Sequence, residues 1–126
     1  MTTILAVYFI IIAVIVTGFQ IALAFGAPLG AYTLGGRYSG ALPKRMRWAA
    51  VGQILILWFF VYIVAVKVDM ILNQPNIIGS IGIWVVALFF LFGSITNLSS
   101  PSKPERRLWG PINVLTFIAT LLIAIL

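Results

Sequence analysis

The side chains able to hold a polar ligand are few. The carboxamides Gln20, Gln53, Asn97 and Asn113, with the hydroxyls of Ser94 and Thr96, interrupt sequence that is otherwise apolar. Asp69 and Glu105 are the only side-chain carboxylates, and the chain has no His and no Cys. Without Cys there is no disulfide, thiol nucleophile or thiolate metal site. Without His the commonest general base and transition-metal ligand is missing. Both carboxylates are expected at the surface, on opposite sides, where they cannot form an acid–base pair. No apolar stretch carries the acidic residue expected of a proton-coupled pump. The chain therefore reads as a non-enzyme with no metal or cofactor, and its polar residues point to binding.

The elements that position these residues follow from composition. With 63% hydrophobic and 8% charged residues, 126 residues cannot make a soluble surface. A helix rises about 1.5 Å per residue, so about 20 apolar residues cross a hydrocarbon core of about 30 Å. Four such runs, at about 3–25, 47–66, 77–96 and 108–126, predict an all-α polytopic membrane protein, a four-transmembrane-helix bundle forming a single domain over 1–126. Continuous rather than alternating apolar runs exclude transmembrane β-strands. The first run has no basic leader and exceeds a signal-peptide core in length, so it reads as a span.

Charge orients the bundle. The first connection, about 26–46, carries Arg37, Lys44 and Arg45, with Arg47 at its edge, and the third, about 97–107, carries Lys103, Arg106 and Arg107. In the second, Lys67 and Asp69 cancel, and Asn73-Gln74-Pro75-Asn76 has turn composition. The basic excess makes the first and third connections cytoplasmic and both termini external. The net charge of +6 is then a topology signal, not a nucleic-acid footprint.

All four carboxamides fall within about 10 Å of the basic boundary at helical rise. Amides at that depth need hydrogen-bond partners, because lipid offers none. They either bond to one another and lock the bundle, or line an inward-facing pocket. The expected site comprises Gln20, Arg37, Arg45, Gln53, Asn97, Arg106 and Asn113, holding a small anionic ligand or a lipid headgroup. Helix N-termini near Lys44 and Lys103 would add positive dipole ends. The first connection is expected to be interfacial or partly re-entrant, anchored by Leu29, Tyr32, Leu34, Tyr38 and Leu42. Its Gly35-Gly36 pair lacks the spacing and the Lys-Ser/Thr of a P-loop.

Several local signals complete the reading. Gly18, Ala22 and Gly26 recur at four-residue intervals, a face suited to close helix packing within the bundle or against a second copy. Gly79 and Gly82 offer the same on the third helix. Ser102-Lys103-Pro104-Glu105 matches a capping box, with Glu105 reaching back to the Ser102 amide. Pro111 predicts a kink in the fourth helix or a separate span after a short turn. Pro43, Arg45 and Trp48 share their offsets with Pro104, Arg106 and Trp109. That match reads as duplication or, preferably, as convergence of two inward helix starts on the same signals.

Two segments carry a resemblance. Phe19-Gln20-Ile21-Ala22-Leu23-Ala24-Phe25-Gly26-Ala27-Pro28-Leu29-Gly30, continued by Gly35-Gly36 and Leu42-Pro43, is one. Asn97-Leu98-Ser99-Ser100-Pro101-Ser102-Lys103-Pro104-Glu105-Arg106-Arg107-Leu108-Trp109-Gly110-Pro111 is the other. Together the sequence resembles a group of small four-helix integral membrane proteins of bacteria. The resemblance implies that architecture and a bacterial cytoplasmic (inner) membrane, and it implies no activity. Three functions fit: a transport or accessory protein with a cytoplasm-facing site, touching membrane lipids and their anionic headgroups; a structural or regulatory subunit packing on itself or a larger membrane partner; and a membrane enzyme acting on lipid.

Overall fold

The computed structural model describes residues 1–38, 40–70 and 77–126. Among them are four long helices, α1 (Thr2–Ala24), α2 (Lys44–Lys67), α3 (Ile77–Leu98) and α4 (Lys103–Ile125), and two single 3-10 turns, Gly30–Tyr32 and Leu34–Gly36. Each long helix has the length and apolarity to cross a membrane. The outward faces carry Ile4, Ile11, Val14, Leu55, Phe59, Ile81, Val85, Leu115 and Ile118, a surface suited to lipid. The all-α, four-spanning architecture expected from composition is the one observed, and the chain is a multi-pass membrane protein. The expected turn at 73–76 lies outside the described residues.

Helix ends differ from expectation where capping outruns hydropathy. α4 begins at Lys103, ahead of the apolar run, because the Ser102 hydroxyl accepts the Glu105 amide at 3.5 Å. It continues unbroken through Pro111, which has no N–H to give the Arg107 carbonyl. The proline therefore neither ends the helix nor starts a separate span. α2 begins at Lys44, directly after Pro43. Pro43 is thus the residue before α2, whereas Pro104 is the second residue inside α4. The matching offsets do not map onto matching structure, which favours convergence over duplication.

Both helices of the first hairpin end in a Schellman motif. In α1 the amides of Gly26 and Ala27 return to the carbonyls of Leu23 and Ala22, with Gly26 at φ 92°. In α2 the amides of Asp69 and Met70 return to Val66 and Ala65, and Asp69 takes the left-handed position at φ 62°. Glycine adopts that conformation without the Cβ clash that aspartate meets. Asp69→Gly is therefore expected to stabilise the protein by about 1 kcal/mol. The measurement is the thermal unfolding midpoint in detergent, and an unchanged or lower midpoint would count against it.

Packing is uneven. α1 sits mainly on α2, and α3 mainly on α4, so the bundle is two hairpins placed side by side. Along α3, a Cβ on Gly79 would lie 2.9 Å from the Lys67 amide nitrogen, so only glycine allows that approach to α2. The main core joins Ala6, Phe9 and Ala13 of α1 to Leu57, Phe60 and Val64 of α2, Ile83, Val86 and Phe90 of α3, and Ile123 of α4. Phe9 meets Phe90 edge to face at 5.7 Å, and Phe60 meets Phe89 at 5.0 Å. A smaller core of Leu23, Leu42 and Ala50, with Leu29 and Tyr38 against it, anchors the first connection to the ends of α1 and α2.

Candidate functional site

The seam between the hairpins opens into a cavity of about 690 Å³. Its apolar end is set by Phe9, Phe60, Phe89 and Phe90. Its other end lies at the basic connections, where Tyr32, Thr33, Leu34 and Gly35 of the first connection and Ser99, Ser100 and Pro101 of the third complete the wall. From Phe9 to Gln20 along α1 is a helical rise of about 16 Å. That matches an elongated molecule with an apolar body and a polar head.

Each helix contributes one carboxamide to this cavity: Gln20 from α1, Gln53 from α2, Asn97 from α3 and Asn113 from α4. The sequence places them at one depth, and the fold brings them to one space. Among the described residues none of the four carboxamides is hydrogen-bonded to another protein group. Mutual locking by the amides is therefore not what the structure shows. Hydroxyls behave differently. Ser94 donates to the Phe90 carbonyl at 2.6 Å, and Thr96 to the Gly93 carbonyl at 3.0 Å, each within its own helix. Deeper, the fully buried Thr116 and Thr120 donate to the Ile112 and Thr116 carbonyls, and Tyr8 meets Thr116 at 3.3 Å to link α1 with α4. Ser94, Thr96, Thr116 and Thr120 are thus satisfied within their own helices, while the four carboxamides have no protein partner among the described residues.

The arginines expected at the site stand apart from it. None of Arg37, Arg45 and Arg106 lines the cavity. Arg37 lies 5.7 Å from the ring of its neighbour Tyr38, Arg45 is exposed, and Arg106 donates from Nη1 to the Ser100 carbonyl at 2.9 Å. The three arginines therefore do not share the cavity with the amides: Arg45 and Arg106 are exposed in the first turns of α2 and α4 and Arg37 is exposed in the first connection, whereas the carboxamides line the cavity.

Glu105 reverses another expectation. It is only 8% exposed and lines the cavity, so it is no surface carboxylate. Nor does it complete the capping box, since the Ser102 amide donates to Ser100 Oγ at 3.1 Å instead. Its Oε2 accepts the Gly35 amide at 2.8 Å and the Ser100 hydroxyl at 2.8 Å. Ser102 Oγ donates to the Ala31 carbonyl. Together these bonds pin the first connection across the end of the cavity. Leu34, at φ 51°, and Gly35, at φ 67°, sit in left-handed backbone that presents the Gly35 amide to Glu105. Sequence reasoning stops at the cap because a Ser-x-x-Glu pattern looks the same whether the carboxylate folds back locally or reaches another segment.

No family model, no curated protein and no solved structure matches the chain. Trp109 lines the cavity and packs against Phe19, with ring centroids 5.0 Å apart and planes tilted by 59°, tying α4 to α1. Trp48, its counterpart by offset, is exposed.

Of the expected packing face, Gly26 lies outside α1, with the Arg47 guanidinium 3.2 Å from where its Cβ would stand. Gly18 is exposed, and among the described residues nothing lies within 4 Å of the place its Cβ would occupy. Packing within the bundle does not use it.

Proposed function

We propose that this protein binds a small amphiphile, a lipid or a comparable molecule, in the cavity between its hairpins, in a transport or accessory role at the cytoplasmic membrane. The observation that carries this reading is the set of four carboxamides, one per helix, converging on the cavity with no protein partner among the described residues. Polar groups below a membrane surface need partners, and here a ligand head supplies them. The Phe-lined end takes the apolar body. The basic excess on both connections makes this the cytoplasmic side, where the exposed Arg45, Arg106 and Arg107 meet anionic lipid headgroups outside the cavity.

The test measures binding of octyl glucoside, a neutral amphiphile, to the protein in zwitterionic-lipid nanodiscs, with empty discs as reference. The double variant Gln20→Leu/Asn113→Leu is expected to bind about thirtyfold more weakly, from two hydrogen bonds worth about 1 kcal/mol each. Arg45→Gln/Arg106→Gln, which alters no lining residue, is expected to bind as the unaltered protein does. Equal binding by the carboxamide variant would overturn the assignment.

A second reading, assembly with a second copy or a larger membrane partner, is favoured by one observation: the Gly18 surface is open. Because a Cβ there has no atom of the described residues within 4 Å, Gly18→Leu is expected to keep the thermal midpoint of the unaltered protein, and with that midpoint unchanged it reports on association. A shift to lower mass in native mass spectrometry is expected if this face is an interface. A monomer both before and after would remove the reading.

A further inference from the structure

Glu105 is nine-tenths buried, lines the cavity, and is paired with no cation among the described residues. The chain has eight Lys and Arg residues, yet none lines the cavity. The nearest in sequence, Arg106, gives its Nη1 to the Ser100 carbonyl. Both bonds that Glu105 accepts land on Oε2, which leaves Oε1 without a protein partner among the described residues. Buried charges are ordinarily paired, and the countercharge here is missing from the protein.

From this we infer that the ligand carries a positive charge: an amine or quaternary ammonium on an apolar body, its charged head near Glu105 and its body toward Phe9 and Phe60. The inference rests on the binding reading above and names the charge class of that ligand. It runs against the net charge of +6, and exposure and screening decide between them. No basic side chain lines the cavity; Arg106 shares Ser100 with Glu105 but is exposed, so salt water screens its charge, with a decay length of about 8 Å. A carboxylate inside a low-dielectric cavity acts on its contents with far less screening. The rings of Tyr32, Phe19 and Trp109, all lining the same cavity, offer π-faces that also favour a cation. The four carboxamides serve a cation equally, because their carbonyl oxygens accept and orient dipoles toward it.

The experiment uses octyltrimethylammonium, octyl glucoside and octanoate, matched in chain length, below their micelle concentrations. Each is equilibrated by dialysis against protein-loaded and empty zwitterionic nanodiscs. The cation is expected to bind about tenfold more tightly than octanoate, and Glu105→Gln is expected to abolish that preference, read as the cation-to-octanoate ratio within each protein so that any loosening of the cavity end cancels. Gln53→Glu, which adds a carboxylate to the cavity without touching the Glu105 bonds, is expected to strengthen cation binding in a protein whose connections stay pinned. If octyl glucoside binds but cation and anion bind alike, or octanoate binds best, the charge inference is overturned and the binding reading stands. If none of the three binds above empty discs, the binding reading falls and takes the inference with it. A cation preference unchanged in Glu105→Gln would overturn the role of Glu105 alone.

Discussion

Glu105→Ala is expected to destabilise the protein by about 3 kcal/mol, because it strips a charged acceptor from two donors at once. The Gly35 amide and the Ser100 hydroxyl, each 2.8 Å from Oε2, would lose their partner. Glu105→Gln keeps a carbonyl oxygen in that place, and its cost is expected to be nearer 1 kcal/mol, about that of one weakened hydrogen bond. Denaturant titration in mixed micelles reads the difference. Limited proteolysis gives a second readout, since an unpinned first connection becomes cleavable between Gly26 and Pro43. Equal stability of the Ala variant, the Gln variant and the unaltered protein would show that Glu105 holds nothing in place.

The second large effect belongs to Gly30. It is buried, and its amide donates to the Gly40 carbonyl at 2.8 Å. A Cβ at Gly30 would overlap the Tyr38 carbonyl oxygen and stand 2.6 Å from that of Gly40. Backbone, unlike a flexible side-chain tip, cannot step aside, so Gly30→Ala must open the turn and lose the hydrogen bond. A loss of about 3 kcal/mol or more is expected, combining overpacking with a broken bond. Gly40→Ala is the control: its φ is 87° but among the described residues nothing lies within 4 Å of its Cβ position, so only the backbone cost of about 1 kcal/mol is expected. If the two variants lose equal stability, close approach at Gly30 is not what the turn depends on.

The contrast between these two residues shows what a sequence makes legible, since both are plain glycines in one loop. Four spans can be read from apolar runs because lipid imposes one length on every helix. The depth of Gln20, Gln53, Asn97 and Asn113 can be read from helical rise, and their convergence on one cavity follows once the fold is known. The rotation of each helix cannot be read, because a membrane helix is apolar all round and leaves no amphipathic stripe to orient it. That is why sequence groups the arginines with the carboxamides although they face different ways. The reach of Glu105 to Gly35 is hidden for another reason: it joins residues 70 positions apart, and local pattern says nothing about such pairs.

That separation has a consequence for the order of assembly. The Gly35–Glu105 bond connects the first hairpin to the second, and Tyr8 with Thr116, 108 positions apart, connects them again at greater depth. Neither link can form before its α4 partner, Glu105 or Thr116, has been synthesised. During insertion the first hairpin must hold itself together through Leu23, Leu42 and Ala50 and through the Arg47 side chain, which donates to the Leu42 carbonyl at 2.9 Å. The cavity is then the last part of the molecule to exist. It is completed only when the second hairpin docks, so a chain whose hairpins have inserted separately already spans the membrane and yet has no cavity between them.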